Sequence, residues 1–153
     1  MLLGEFNHQL DDKSRIRLPA KLRREFIDGY VLTRGTNGCL FVFSLAEISK
    51  LIEKVNTLPL SDVEAWKPIR YILASATEIE EDEQGRFVLP SNLRNYAKIV
   101  KNTTIIGVGN RVEIWSEENW NFYLANGQTT VSGSEENIAN LDSIIQNLKG
   151  YGI

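Results

Sequence analysis

The chain contains very little of the chemistry on which most enzymes and metal sites depend. His8 is its one histidine and Cys39 its one cysteine. A single imidazole leaves no His-rich metal cluster and no partner for a nucleophilic triad, and a single cysteine excludes an internal disulfide. We expect His8 on a strand surface and Cys39 in the interior. The sequence therefore predicts no enzyme, no metal and no cofactor.

Long apolar runs are missing as well. No stretch approaches the roughly 20 apolar residues of a membrane-spanning helix. The first residues lack the basic segment and apolar stretch of an export signal. Apolar residues make up 42% of the 153-residue chain, which is enough for a packed core. We therefore expect a globular cytoplasmic protein without membrane contact.

Positive net charge is also lacking, because the formal net charge is −3. Taken alone, this argues against a polyanionic partner. The charges are uneven, however, since residues 13–24 carry six basic side chains and no acid. Acid collects instead in residues 78–83, which hold five acidic side chains. The basic run is either a solvated face or a binding surface, and the sequence leaves both open.

The chain does contain one nine-residue segment that occurs in two similar copies. DDKSRIRLP at residues 11–19 is matched by DEQGRFVLP at residues 82–90, at an offset of 71 (82 − 11 = 71). Leu-Arg follows each copy, at 22–23 and 93–94. Such an in-phase repeat predicts two copies of one supersecondary unit. The acidic run of the second copy could serve a hydrolase, but the first copy lacks it, which disfavours that function.

Both copies predict the same order of elements: an extended arm, a turn, a short helix begun by proline, a hairpin and a capped helix. The hairpin turns fall at Asn37-Gly38 and Gly109-Asn110, and Ser44 and Ser116 cap the helices that follow. Each copy alone is too small to bury its hairpin faces well. We therefore predict an α+β fold of two interlocked, β-barrel-like halves related by a pseudo-two-fold axis.

The predicted boundaries follow from this order. The first repeat spans 1–56, a connecting helix 57–74, the second repeat 75–125, and a C-terminal loop and amphipathic helix 126–153. In the connecting helix, Ser61 and Glu64 have the pattern of a capping box, and Pro68 predicts either a kink in the helix or its true first residue.

Asp11-x-x-x-Arg15 and Asp82-x-x-x-Arg86 are the candidate binding turns. Each lies where an arm turns toward a helix, in a connection that we expect to be exposed. The carboxylates can accept hydrogen bonds from turn amides and hold the arginines in place, and we favour this structural role for them. A guanidinium held in this way can bind a phosphate or a guanine edge bidentately. Lys13 and Arg17 add positive charge that no turn requires.

The doubled Asp-x-x-x-Arg and the Leu-Pro-x-x-Leu-Arg continuation resemble the MraZ family, within the wider AbrB-like (SpoVT/AbrB) swapped-hairpin group, from about Met1 to Ala125. The resemblance implies a sequence-specific repressor of the division and cell-wall gene cluster, associated with the nucleoid. It also implies ring-shaped homo-oligomers on repeated boxes in promoter DNA, and no small-molecule substrate is expected. The DNA-facing positions that it implies are Asp11, Lys13, Arg15, Asp82 and Arg86, and Arg17 joins them because of its charge.

Three positions depart from the expected pattern. Ser14 stands where the family usually has glycine, which argues against a positive φ there. Gln84 and Val88 stand opposite Lys13 and Arg17, so we expect the first copy to make the closer DNA contact. The alternative from another class is a structural or protein-interaction ring whose motif arginines bridge subunits.

Overall fold

The computed structural model describes residues 1–127. In this range the chain forms eight strands: β1 Leu2–Gln9, β2 Arg15–Arg17, β3 Tyr30–Arg34, β4 Leu40–Ser44, β5 Thr77–Glu78, β6 Arg86–Val88, β7 Asn102–Gly109 and β8 Val112–Ser116. It also forms five α-helices: α1 Ala20–Arg23, α2 Leu45–Val55, α3 Val63–Ser75, α4 Ser91–Tyr96 and α5 Glu117–Asn126. A 3₁₀ turn at Arg24–Phe26 extends α1. The predicted C-terminal helix falls in residues 128–153, outside the described residues.

The strands build one six-stranded antiparallel sheet and one two-stranded ribbon. The strand order in the sheet is β1-β7-β8-β4-β3-β5, and the ribbon is β2-β6. Read from either edge, the sheet begins with an arm, β1 or β5, and continues with the hairpin of the other copy, β7-β8 or β3-β4. β1 pairs with β7 of the other copy, and β5 pairs with β3. The arms are therefore exchanged between the copies, and the α+β, interlocked fold is confirmed. The sheet itself is open, with β1 and β5 as its edges, and the repeat boundaries given above stay a prediction.

A pseudo-two-fold axis relates the two copies. Ile16 faces Phe87 at the centre of the β2–β6 pair, and these residues are 71 positions apart (87 − 16 = 71). Phe41 faces Glu113 at the centre of the β4–β8 pair. These two residues are equivalent because each lies three positions before the serine that caps the next helix, Ser44 or Ser116, so the offset in this part of the repeat is 72 (116 − 44 = 72). Equivalent residues thus meet at the middle of both ladders, and the axis passes through both points.

The repeated motif also supplies the core. Ile16 and Phe87 are each 2% exposed. The leucines of both Leu-Pro-x-x-Leu segments are buried in the same cluster: Leu18, Leu22, Leu89 and Leu93. Leu18 and Leu89 precede the prolines, and Leu22 and Leu93 lie in the short helices that follow, so each segment places one leucine in the core on either side of its proline. Burial of one cluster shared by both copies fixes the turns that precede it.

The helix caps differ from the sequence prediction at one place. Ser44 accepts a hydrogen bond from Glu47 N at 3.2 Å, and Ser116 accepts one from Asn119 N at 3.0 Å, as predicted. In α3 the cap is Asp62, which accepts from Ala65 N at 3.1 Å, and not Ser61. The helix also continues through Pro68, so this proline does not begin it.

Candidate nucleic-acid interface

Asp11 closes the first turn with three hydrogen bonds. Its Oδ1 accepts from the backbone N–H of Lys13 at 2.9 Å and of Arg15 at 2.8 Å. Its Oδ2 accepts from Arg15 Nε at 2.7 Å. The hydrogen bond from the Arg15 amide is the main cause that lowers the pKa of Asp11 below its ordinary value. The carboxylate is therefore charged at neutral pH and fixes the Arg15 side chain through its Nε.

The second turn repeats this geometry with a different sequence. Asp82 Oδ1 accepts from the amides of Gln84 and Arg86, both at 2.9 Å, and its Oδ2 accepts from Arg86 Nε at 3.0 Å. The Arg86 amide again contributes most to lowering the pKa of Asp82. Both aspartates thus take the turn-closing role that we favoured for them. Their part in DNA contact stays a prediction.

The residue at the tip of each turn has a positive φ. Gly85 has φ 77°, and Ser14 has φ 58°, which corrects the expectation drawn from the missing glycine. A left-handed conformation costs a non-glycine residue about 1–2 kcal/mol. Two tertiary contacts hold Ser14 in it: Leu89 N donates to the Ser14 carbonyl at 2.9 Å, and the Arg94 guanidinium donates to its hydroxyl.

The ribbon of β2 and β6 brings the two turns together on one outward face. Ile16 and Phe87 point into the core, so the residues on either side of them point out. On this outward face Arg17 lies opposite Arg86, and Arg15 lies opposite Val88. Val88 is 58% exposed. The exposed face therefore presents three guanidinium groups and one apolar side chain.

The arginines on this face keep free donors. The Arg15 side chain is 25% exposed and that of Arg86 is 30% exposed. Each donates from Nε to its own aspartate, and Arg86 Nη1 also lies 3.9 Å from Asp11 Oδ2. Within residues 1–127, the terminal Nη groups of Arg15 donate to no protein acceptor. Lys13 and Arg17 are exposed and form no ion pair with the described residues.

The predicted site residues are thus adjacent in space. The ribbon joins Arg15, Arg17 and Arg86, and Lys13 lies on the turn beside Arg15. Sequence reasoning missed the pairing of β2 with β6, because three-residue strands carry almost no periodicity. It also missed Arg23 and Glu81, which contact each other across the two copies at 2.7 Å.

Cys39 and His8, the two residues considered for catalysis, lie in the interior and in strand β1, respectively. Cys39 is fully buried, as predicted. His8 lies in β1 with Nδ1 3.1 Å from the Arg17 carbonyl. In the part of the chain that the structure describes, no three His, Cys, Asp or Glu side chains form a group that could hold a metal. No helix among those residues is long and apolar enough to cross a membrane.

The exchanged arms, the open sheet and the doubled carboxylate-held arginine turn define an AbrB-like swapped-hairpin protein. The profile of one family, described as "MraZ protein, putative antitoxin-like", matches residues 1–67 and 72–140. The chain belongs to the MraZ family.

Several curated relatives cover nearly the whole chain. The Transcriptional regulator MraZ of Natranaerobius thermophilus is 45% identical over 93% of this chain and 99% of its own length. The protein of the same name from Caldanaerobacter subterraneus is 46% identical over 94% and 98%, respectively. That of Desulforamulus reducens is 41% identical over 92% and 99%. The chain is thus a member of a family of transcriptional regulators.

Proposed function

We propose that the chain is a sequence-specific DNA-binding transcriptional regulator that reads promoter DNA with the β2–β6 ribbon. The observation that carries the proposal is the outward face of this ribbon, where Arg15, Arg17 and Arg86 project side by side. A two-stranded antiparallel ribbon has the width to enter the major groove of B-DNA. Its core-facing residues anchor it rigidly, so the arginines enter the groove in a fixed arrangement.

The arginines and the lysine have different roles. Arg15 and Arg86 are held at Nε by their aspartates, which leaves their Nη groups to donate to O6 and N7 of guanine. Each such bidentate contact discriminates against a wrong base by about 1–3 kcal/mol. Arg17 and Lys13 are unpaired within residues 1–127 and bind phosphate oxygens, which adds affinity without sequence preference.

Because the net charge of the chain is −3, one protomer alone offers too little positive charge to bind DNA tightly. The two phosphate-binding cations of the ribbon, Lys13 and Arg17, give a salt dependence with a slope of only roughly 2, because each neutralised phosphate contributes about 0.9. A homo-oligomeric ring repeats the same surface and links weak contacts through effective concentration. The regulator therefore acts as a cytoplasmic, nucleoid-associated ring on repeated promoter boxes. In line with its family resemblance, it represses the division and cell-wall gene cluster.

The test is a binding titration on the DNA upstream of the protein's own gene, with unrelated DNA as competitor. Arg15→Ala removes the guanidinium but leaves both backbone donors to Asp11, so the turn keeps its closure. Specific affinity should fall by about 5- to 160-fold per engaged site, the equivalent of one guanine contact. Arg15→Lys should lose the same specificity but keep non-specific affinity, since lysine retains the charge without the planar fork.

The oligomeric state is measured on the same samples by light scattering. Loss of specific binding with the oligomer intact supports DNA reading. Dissociation of the oligomer with unchanged DNA affinity per subunit would instead assign Arg15 to a bridge between subunits, which is the structural alternative.

A further inference from the structure

Arg23 and Glu81 connect the two copies of the repeat. Arg23, the last residue of α1, donates from Nη2 to Glu81 Oε1 at 2.7 Å and from Nε to Oε2 at 3.3 Å. The Tyr30 hydroxyl donates to the same Oε2 at 2.7 Å. Glu81 directly precedes Asp82, which closes the second turn. The first copy therefore holds the entrance of the second copy's turn.

Arg23 also contacts the tip of that turn. A Cβ placed on Gly85 would lie 2.6 Å from Arg23 Nη2 and 2.7 Å from its Cζ. The guanidinium thus packs against the backbone of Gly85, in addition to its ion pair at Glu81. The turn from Asp82 to Arg86 is fixed at its entrance and at its tip by one side chain.

The first turn has an analogous contact without the acid. Arg94 is the equivalent of Arg23 (23 + 71 = 94) and donates to the hydroxyl of Ser14, the equivalent of Gly85. The equivalent of Glu81 is Leu10 (81 − 71 = 10), which is buried in the core. Arg23 thus forms an ion pair at the entrance of the second turn, the one with fewer cations, whereas Arg94 forms no ion pair with the described residues at the first.

The ion pair persists at neutral pH. Partial burial favours the neutral form of Glu81, but the hydrogen bonds from Arg23 and Tyr30 outweigh it and lower the pKa of Glu81. Burial, together with Glu81, raises the pKa of the Tyr30 hydroxyl, which stays a donor. A charged acid is thus held beside a surface that binds a polyanion. Its Coulomb effect there opposes DNA binding, so its contribution must lie in the geometry it maintains.

We propose that the Arg23–Glu81 pair is a positioning device that fixes the second turn, and through it the Arg86 guanidinium, for sequence-specific DNA reading. The inference rests on the proposed function. Neither residue contacts the bases. The pair acts by keeping Asp82 and the turn amides aligned on Arg86, so that its Nη groups meet a base edge without a search for the right rotamer.

Glu81→Gln and Glu83→Gln form a matched pair of variants. Each removes one negative charge from the same segment, but Glu83 forms no hydrogen bond or ion pair with residues 1–127. Charge alone predicts that both variants bind all DNA more tightly. Positioning predicts that only Glu81→Gln lowers the ratio of specific to non-specific affinity, by about fivefold or more, because one guanine contact is weakened.

Arg23→Lys provides a second test that leaves the net charge unchanged. Lysine cannot bind both carboxylate oxygens in the planar arrangement of arginine. The ratio should fall as in Glu81→Gln, whereas Arg24→Lys, at an exposed side chain without an ion pair to the described residues, should leave it unchanged. If Glu81→Gln does not fold, Arg23→Lys decides the question alone.

A measurement without DNA separates this proposal from the proposed function. Hydrogen exchange of the Arg86 Nε–H, followed by NMR, should quicken in Glu81→Gln and in Arg23→Lys but not in the two control variants. Exchange that is equal in all variants, or an affinity ratio that is equal in Glu81→Gln and Glu83→Gln, overturns the positioning role. A wild-type protein with no specific DNA binding would overturn the proposed function, while the exchange experiment would still decide whether the pair fixes Arg86.

Discussion

Replacement of Phe87 by alanine should cost the protein more stability than any change on the outward face of the ribbon. Phe87 lies on the pseudo-two-fold axis, opposite Ile16, and is 2% exposed. Its ring packs edge-on against Tyr30, with the centroids 5.8 Å apart. Truncation of such a side chain removes its apolar burial and leaves a cavity, which together cost about 3–5 kcal/mol.

This loss of stability can be measured because the variant should still be folded at the start of an unfolding experiment. A folded domain has a free energy of unfolding of about 5–15 kcal/mol, which exceeds the expected loss over most of this range, so the variant should stay folded at 25 °C. For a chain of this size each kcal/mol lowers Tm by about 2–4 °C, which gives a fall of roughly 6–20 °C. Urea unfolding followed by tryptophan fluorescence reports the same loss, because the buried Trp115 becomes exposed on unfolding.

Val88→Ala is the matched control. Val88 is the next residue of the same strand but points outward, so its truncation should change stability by no more than about 0.5 kcal/mol. A loss below about 1 kcal/mol for Phe87→Ala, or equal losses for the two variants, would refute the argument that the ribbon is anchored through its inward residues.

Three further predictions concern the charges and the turns. Val88→Arg places a fourth guanidinium on the ribbon, opposite Arg15, and the slope of log Kd against log salt should steepen by about 1; an unchanged slope would mean that this face does not approach phosphates. The pKa values of Asp11, Asp82 and Glu81 are lowered in the folded state, so their stabilisation is complete above their ordinary values near about 4 and is lost as pH falls through the folded values. The urea concentration at the midpoint of unfolding should therefore decrease as the pH is lowered from 6 to 3, and a constant midpoint would contradict this. Gly85→Ala combines a positive φ with a Cβ 2.6 Å from Arg23 Nη2, and should destabilise by more than Gly109→Ala, where φ is also positive but nothing lies within 4 Å of the added Cβ; equal thermal shifts would remove the contact with Arg23 from consideration.

The sequence predicted the features that depend on local chemistry or on the repeat. Asn37-Gly38 and the serine caps at Ser44 and Ser116 act through their immediate neighbours, and the structure confirms the hairpins and caps that they specify. The interlocked arrangement followed from the size of each copy, because burial of both hairpins requires a shared core.

The features that sequence reasoning missed depend on contacts between distant segments. The β2–β6 ribbon joins two three-residue strands, and neither is long enough to show an alternating pattern. The positive φ at Ser14 is stabilised by Leu89 and Arg94, both more than 70 positions away in the chain. The sequence showed Glu81 only as one member of the acidic run at residues 78–83, because its partner, Arg23, belongs to the other copy.

The exchanged arms have a consequence for how the protein is synthesised. Leu2–Gln9 finds its partner strand only when Asn102–Gly109 has been made, at least 93 residues later (102 − 9 = 93). At a ribosomal rate of about 5–20 residues per second, the N-terminal strand waits roughly 5–20 s with its backbone groups unsatisfied by protein. A nascent chain that stops before residue 102 retains an unpaired strand of the kind that promotes aggregation. The pairing of the N-terminal arm therefore depends on synthesis of the second copy of the repeat.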